Sequence, residues 1–186
     1  MSYVALDLSV RSTGWAMWSA GQTLPAYGTW ELAGDMDHLA RAYVRLHRNL
    51  LELHQIDAID SLVFEEPIPG HMLRGQTSAI TLQAAAGLAA HVMSFCEALG
   101  IRWRPVSIAA WRRHFLGSMP RGTKTPELKH LSMTRCRELG FNPAKHDAAE
   151  ACGLLDYHLS TEGILPDWRH GLQQELLPAA DEKAAA

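Results

Sequence analysis

Hydrophobic positions change period several times along the chain, and each change marks an element. Tyr3 to Leu8 form an apolar run broken by Asp7, the pattern of a buried strand with one acid near its end. A small polar turn follows, and strand-like patterning resumes at residues 14–19 and 26–32, so the chain opens as an antiparallel meander. From about Asp37 the period lengthens. Leu39, Tyr43, Leu46, Leu50 and Leu53 recur every three or four residues, the stripe of an amphipathic helix. Ser61 to Phe64 form a short apolar strand running into Glu65 and Glu66, and Pro67, Pro69 and Gly70 then predict a loop over 66–75. An Ala-rich helix is expected from about Gln76 to Leu99, its small residues suited to core packing or to a dimer contact. Residues 102–106 read as a strand parallel to that at 61–64, since a helix connects them. Ser107 is the expected N-cap of a helix through Phe115, and Gly117–Thr123 a linker. Thr125-Pro126 opens a helix to about Glu138, and Asn142-Pro143 another to about Leu159. The sum is an α/β fold with a five-stranded mixed sheet flanked by helices. A domain over 1–160 is expected, with a partly flexible C-terminal arm at 161–186.

Composition narrows the class. A chain of 186 residues with 47% hydrophobic residues suffices for one well-filled core. No apolar run is expected to reach the ~18 residues of a membrane-spanning helix, and no secretory signal opens the chain. Cys96, Cys136 and Cys152 are odd in number and widely spaced, which fits reduced thiols in a cytoplasmic protein and not a zinc site. Net charge is −3, yet its distribution is uneven. Between Arg102 and Arg137 nine Lys or Arg stand against one acid, Glu127: +8 there and −11 for the remainder. Such a cationic segment in an acidic protein marks an anionic partner.

Four acids occupy positions that regular structure can bring together. Asp7 lies in the first strand and Glu65 ends the fourth, so neighbouring strands would set the two carboxylates side by side. Asp147 and Glu150 are three apart on the last helix and share a face. Like charges so arranged oppose one another, and a divalent cation removes the objection. Oxygen donors without Cys/His spacing favour magnesium or manganese. Two such ions about 3.5–4 Å apart can activate a water and stabilise a leaving oxygen. Glu66 competes with Glu65, but strand alternation sends them to opposite faces, and Glu65 directly follows the apolar run.

These motifs in order resemble the RuvC family of Holliday-junction resolvases, which have an RNase H-like fold. Ala5-Leu6-Asp7-Leu8-Ser9 with Thr13-Gly14-Trp15 resembles its first strand and turn. Val63-Phe64-Glu65-Glu66 is similar to its second acidic strand, and His146-Asp147-Ala148-Ala149-Glu150 to its final helix. The resemblance implies catalytic metal-binding roles for Asp7, Glu65, Asp147 and Glu150, with two Mg2+ or Mn2+ ions. It implies that Lys124 lies near the scissile phosphate, with Arg112 or Arg113 at another basic position. The loop after Glu65 is similar in place to one that contacts the junction centre in the family, which makes His71, Met72 and Leu73 candidates for a wedge; Arg74 and Lys129 are further expected DNA contacts. The implied partner is branched DNA, a four-way junction, bound by a homodimer in a bacterial or phage-infected cytoplasm. The chain departs from the family in having Leu8-Ser9 where Pro-Gly is usual, and Glu150 where Asp is common. Other expectations are a nuclease for other branched DNA or RNA/DNA hybrids, or a non-catalytic DNA-binding dimer. A sugar-kinase or actin-like nucleotide binder needs a second domain for which the chain is too short.

Overall fold

A computed structural model describes residues 1–34, 37–67 and 79–170. Strands β1 (Ser2–Asp7), β2 (Thr13–Ser19) and β3 (Ala26–Trp30) form the meander, followed by α1 (Leu39–Ile56), β4 (Ile59–Glu65) and α2 (Ala79–Leu99). Then come β5 (Arg102–Val106), α3 (Ile108–Leu116), α4 (Thr125–Glu138) and α5 (His146–Thr161). The five strands form one sheet in the order β3-β2-β1-β4-β5. Contacts β1–β2 and β2–β3 are antiparallel, β1–β4 and β4–β5 parallel. The expected mixed sheet is therefore present, with β1 at its centre.

Strand alternation divides the core in two. Tyr3, Ala5 and Val63 face one side, where α3, α4 and α5 bury Trp111, Phe115, Cys136 and Leu155. Val4, Leu6, Leu62 and Phe64 face the other, against Leu46 and Leu50 of α1 and Leu88 and Val92 of α2. Helix α5 is buried along nearly its whole length, from Asp147 to Asp156, because it lies between the sheet and α3 and α4. Packing continues past it. Trp168 is buried against Trp18 and Phe141, and its indole N–H donates to Asp156 Oδ1 at 2.9 Å.

Several local expectations shift. Helix α5 begins at His146 and not near Asn142-Pro143, because the Asn142 N–H donates to Tyr27 Oη and Phe141 and Pro143 are buried. Tertiary contact there overrides the local start motif. Ser107 and Lys124 occupy the N-cap positions of α3 and α4, each without a side-chain capping bond, so Thr125 is inside its helix. Helix α2, at 21 residues, is long and apolar enough by composition to cross a bilayer, contrary to the sequence expectation. In the fold, its stripe of Ala84, Leu88, Ala89, Val92, Phe95 and Cys96 is core. The three cysteines are buried and free.

Candidate metal centre

The first acid is set by β1. Asp7 is the last residue of the strand and shares the α5-facing side with Tyr3 and Ala5. The turn that follows is closed by Thr13: its Oγ1 accepts from the Ser9 N–H at 3.1 Å and donates to the Ser9 carbonyl at 2.5 Å. This bond pair gives the turn its shape without Pro-Gly. Opposite Asp7 in the ladder stands Gly14. A Cβ there would lie 1.9 Å from the Asp147 carbonyl oxygen, so only glycine admits the first turn of α5 to this end of the sheet. Asp147 and Glu150 thereby descend onto Asp7, and carboxylate oxygens of all three lie within 4.8 Å of one another.

Glu65 approaches from the neighbouring strand. The parallel β1–β4 register pairs Leu6 with Phe64, one residue before both acids. Glu65 follows Val63 on the α5-facing side, whereas Glu66 is exposed and its N–H bonds to the Val106 carbonyl at 2.9 Å. Alternation therefore turns Glu65, and not Glu66, toward the side that carries Asp7. Its carboxylate stands outside the group of three and accepts from Trp111 Nε1 at 3.0 Å.

Charge is concentrated and poorly compensated. Burial, then Glu150, Glu65 and Asp147, push the Asp7 carboxyl well above its ordinary value, with Arg112 opposing. Burial also raises Glu65, against the Trp111 bond and Arg112. Asp147 and Glu150 are 9% and 5% exposed. Glu150 is paired with Arg112 at 2.7 Å, and Asp147 accepts from Ser12 Oγ at 2.5 Å. Asp147 also sits in the first turn of α5, where the helix end favours an anion. Lys129 bonds to His146 Nε2, and His146 Nδ1 lies 3.5 Å from Asp147 Oδ1. Three clustered carboxylates beside one guanidinium leave an excess of negative charge in a half-dry site. Three converging carboxylates form a hard-oxygen donor set of the kind that holds a metal ion, with the His146 imidazole at its edge.

Of the expected cations, Arg112 and Lys129 are brought to the cluster's edge. Arg113 and Lys124 are exposed on α3 and at the α4 N-cap, and His71, Met72, Leu73 and Arg74 lie outside the described residues. The cationic segment is less uniform than its sequence implies. Arg102 pairs with Glu162 at 3.1 Å and Arg104 bonds Thr161, both at the C-terminal end of α5, opposite the turn that carries Asp147. Arg135 pairs with Glu138 at 2.7 Å. Arg113, Arg121, Lys124 and Arg137 remain exposed. Sequence reasoning missed Ser12 and Trp111. Ser12 lies in the polar turn after Asp7 and was legible as a turn residue; nothing local marks Trp111.

The chain matches no protein-family model and no curated protein by sequence. Solved structures do resemble it. Thermus thermophilus RuvC in complex with Holliday junction substrate aligns at a TM-score of 0.64 and 12% identity, covering 88% of this chain and 96% of that one. The fowlpox virus Holliday junction resolvase gives 0.58 at 11% identity, over 87% and 99%. The yeast mitochondrial Holliday junction resolvase gives 0.57 at 9%, over 94% and 86%. The chain has the RNase H-like fold of these resolvases.

Proposed function

We propose that this protein is a divalent-metal-dependent endonuclease that cuts branched DNA, four-way junctions above all, by phosphodiester hydrolysis. The observation that carries this reading is the convergence of Asp7, Asp147 and Glu150 within 4.8 Å, on a fold shared with junction resolvases. In this reading those three residues hold Mg2+ or Mn2+, and Glu65 adds the donor for a second ion from β4. A bound ion of this type stabilises charge on phosphoryl oxygens and lowers the pKa of a coordinated water.

The chain's own groups orient and attract. Ser12 donates to one oxygen of Asp147 and leaves the other for ligation. Arg112 brings a guanidinium to the rim of the cluster, and its Nε has no hydrogen-bond partner. Lys124, Lys129 and Arg113 supply phosphate contacts that position DNA without reading sequence. The same role is proposed for Arg74, with His71 and Met72 against unstacked bases.

Resolution of a junction requires two strand cuts. The described residues hold one three-acid cluster, so paired cuts call for two copies of the chain, and we infer a homodimer. Junction, flap, duplex and RNA/DNA hybrid substrates, each offered with Mg2+, test the substrate assignment. The junction is expected to be cut fastest, into nicked duplexes, by a species of dimer mass. Faster cleavage of the hybrid would reject the assignment.

A further inference from the structure

Helix α3 supplies two successive side chains to two different acids. Arg112 pairs with Glu150, and Trp111 donates its indole N–H to Glu65 Oε2. Trp111 is 0% exposed, so this N–H has no access to water and requires a partner. The ring is also fixed in place. The backbone of α5 approaches so closely that a Cβ at Gly153 would meet Trp111 Cζ3 at 2.9 Å and Phe115 Cδ1 at 2.7 Å. The Arg112 guanidinium lies 5.2 Å from the indole centroid. Glu65, by contrast, ends a strand on a side chain with three rotatable bonds, half-buried and outside the group of three carboxylates.

We infer that Trp111 is a positioning residue for the metal centre: its N–H holds Oε2 of Glu65 and so presents Oε1 to the ion. Conformational freedom that Glu65 would otherwise lose on ligation is removed in advance by a rigid, fully packed donor. The inference rests on the proposed metal role of Glu65. It goes further in assigning the geometry of that ligand to a residue of α3, 46 positions away in the chain.

Mn2+ binding to the full chain without DNA, followed by calorimetry and by the EPR signal of free Mn2+, tests it. Trp111→Phe keeps an aromatic side chain, smaller than the indole, and deletes the donor, and Glu65→Gln is the control. Trp111→Phe is expected to weaken Mn2+ binding about 10–100-fold, the usual effect of losing a hydrogen bond to a ligand, with a metal-free melting point that is lowered by the space left in the core and a transition that stays cooperative. Wild-type affinity in folded Trp111→Phe, with Glu65→Gln weakened, overturns the positioning role and leaves the metal role of Glu65 standing. Unchanged binding in Glu65→Gln overturns both. A measurement on unmutated ring chemistry covers the case in which Trp111→Phe does not fold. One indole N–H resonance of the wild type should move on Mg2+ addition and stay still in Glu65→Gln. No such resonance would overturn the inference.

Discussion

Asp7 shows most clearly how the site strains the fold that builds it. Its carboxyl is pushed above the ordinary value of 3.8 by burial and by three neighbouring acids. The folded state thus holds this proton more tightly than the unfolded chain does. The group's contribution is fully present below about pH 3.8 and is lost as pH rises through the folded-state value. In EDTA, Asp7→Asn is therefore expected to melt higher than wild type at pH 7, by about 2–4 °C for each kcal/mol relieved. The difference should shrink toward pH 4, and a lower melting point for the variant at pH 7 would contradict this. At this scale the sequence was informative where chemistry is unusual. An acid inside Val4–Leu8 and a like-charged pair at Asp147 and Glu150 both break a local rule, and both lie in the cluster. Ser12 and Trp111 break none. Their partners are 135 and 46 residues away, and no local period encodes such contacts.

Among the elements, the approach of α5 to the β1–β2 pair decides whether the acids meet. Gly14→Ala introduces a methyl 1.9 Å from the Asp147 carbonyl oxygen, against backbone that cannot rotate away. The first turn of α5 must then move, taking Asp147 and Glu150 off Asp7. This variant is expected to lose ~1–3 kcal/mol of stability and the bulk of its Mn2+ affinity. Wild-type Mn2+ affinity in Gly14→Ala would show that this close approach does not set the cluster. Most elements were legible from period and caps: the strand at 102–106 and the stripe of α1 follow their patterns. The start of α5 was not, because Asn142-Pro143 is a sound local start motif until Tyr27, 115 residues away, claims the Asn142 N–H.

For the whole molecule, sheet order makes two charge patterns of one sequence segment. The parallel β4–β5 ladder sends Arg102 to the end opposite Glu65, whereas α3 and α4 return Arg112 and Lys129 to the carboxylates. Summed charge along the chain cannot distinguish these two ends; topology does. Junction affinity measured against salt should separate them. Lys124→Ala is expected to reduce the slope of log affinity against log salt by about 1, and Arg102→Ala to leave it unchanged. Equal effects would mean that DNA covers both ends. The five-stranded mixed sheet followed from the order of strands and helices, whereas the likeness to resolvases lay in the motifs around Asp7, Glu65 and Asp147.

Cleavage of a synthetic mobile four-way junction by wild type and Asp7→Asn, with binding measured on the same preparations, tests the central claim most directly. Wild type should cut only with Mg2+ or Mn2+ present, and Asp7→Asn should bind the junction with near wild-type affinity and leave it intact. Cutting by Asp7→Asn at the wild-type rate, or by wild type in EDTA, would contradict a shared ion held by residues 7, 147 and 150.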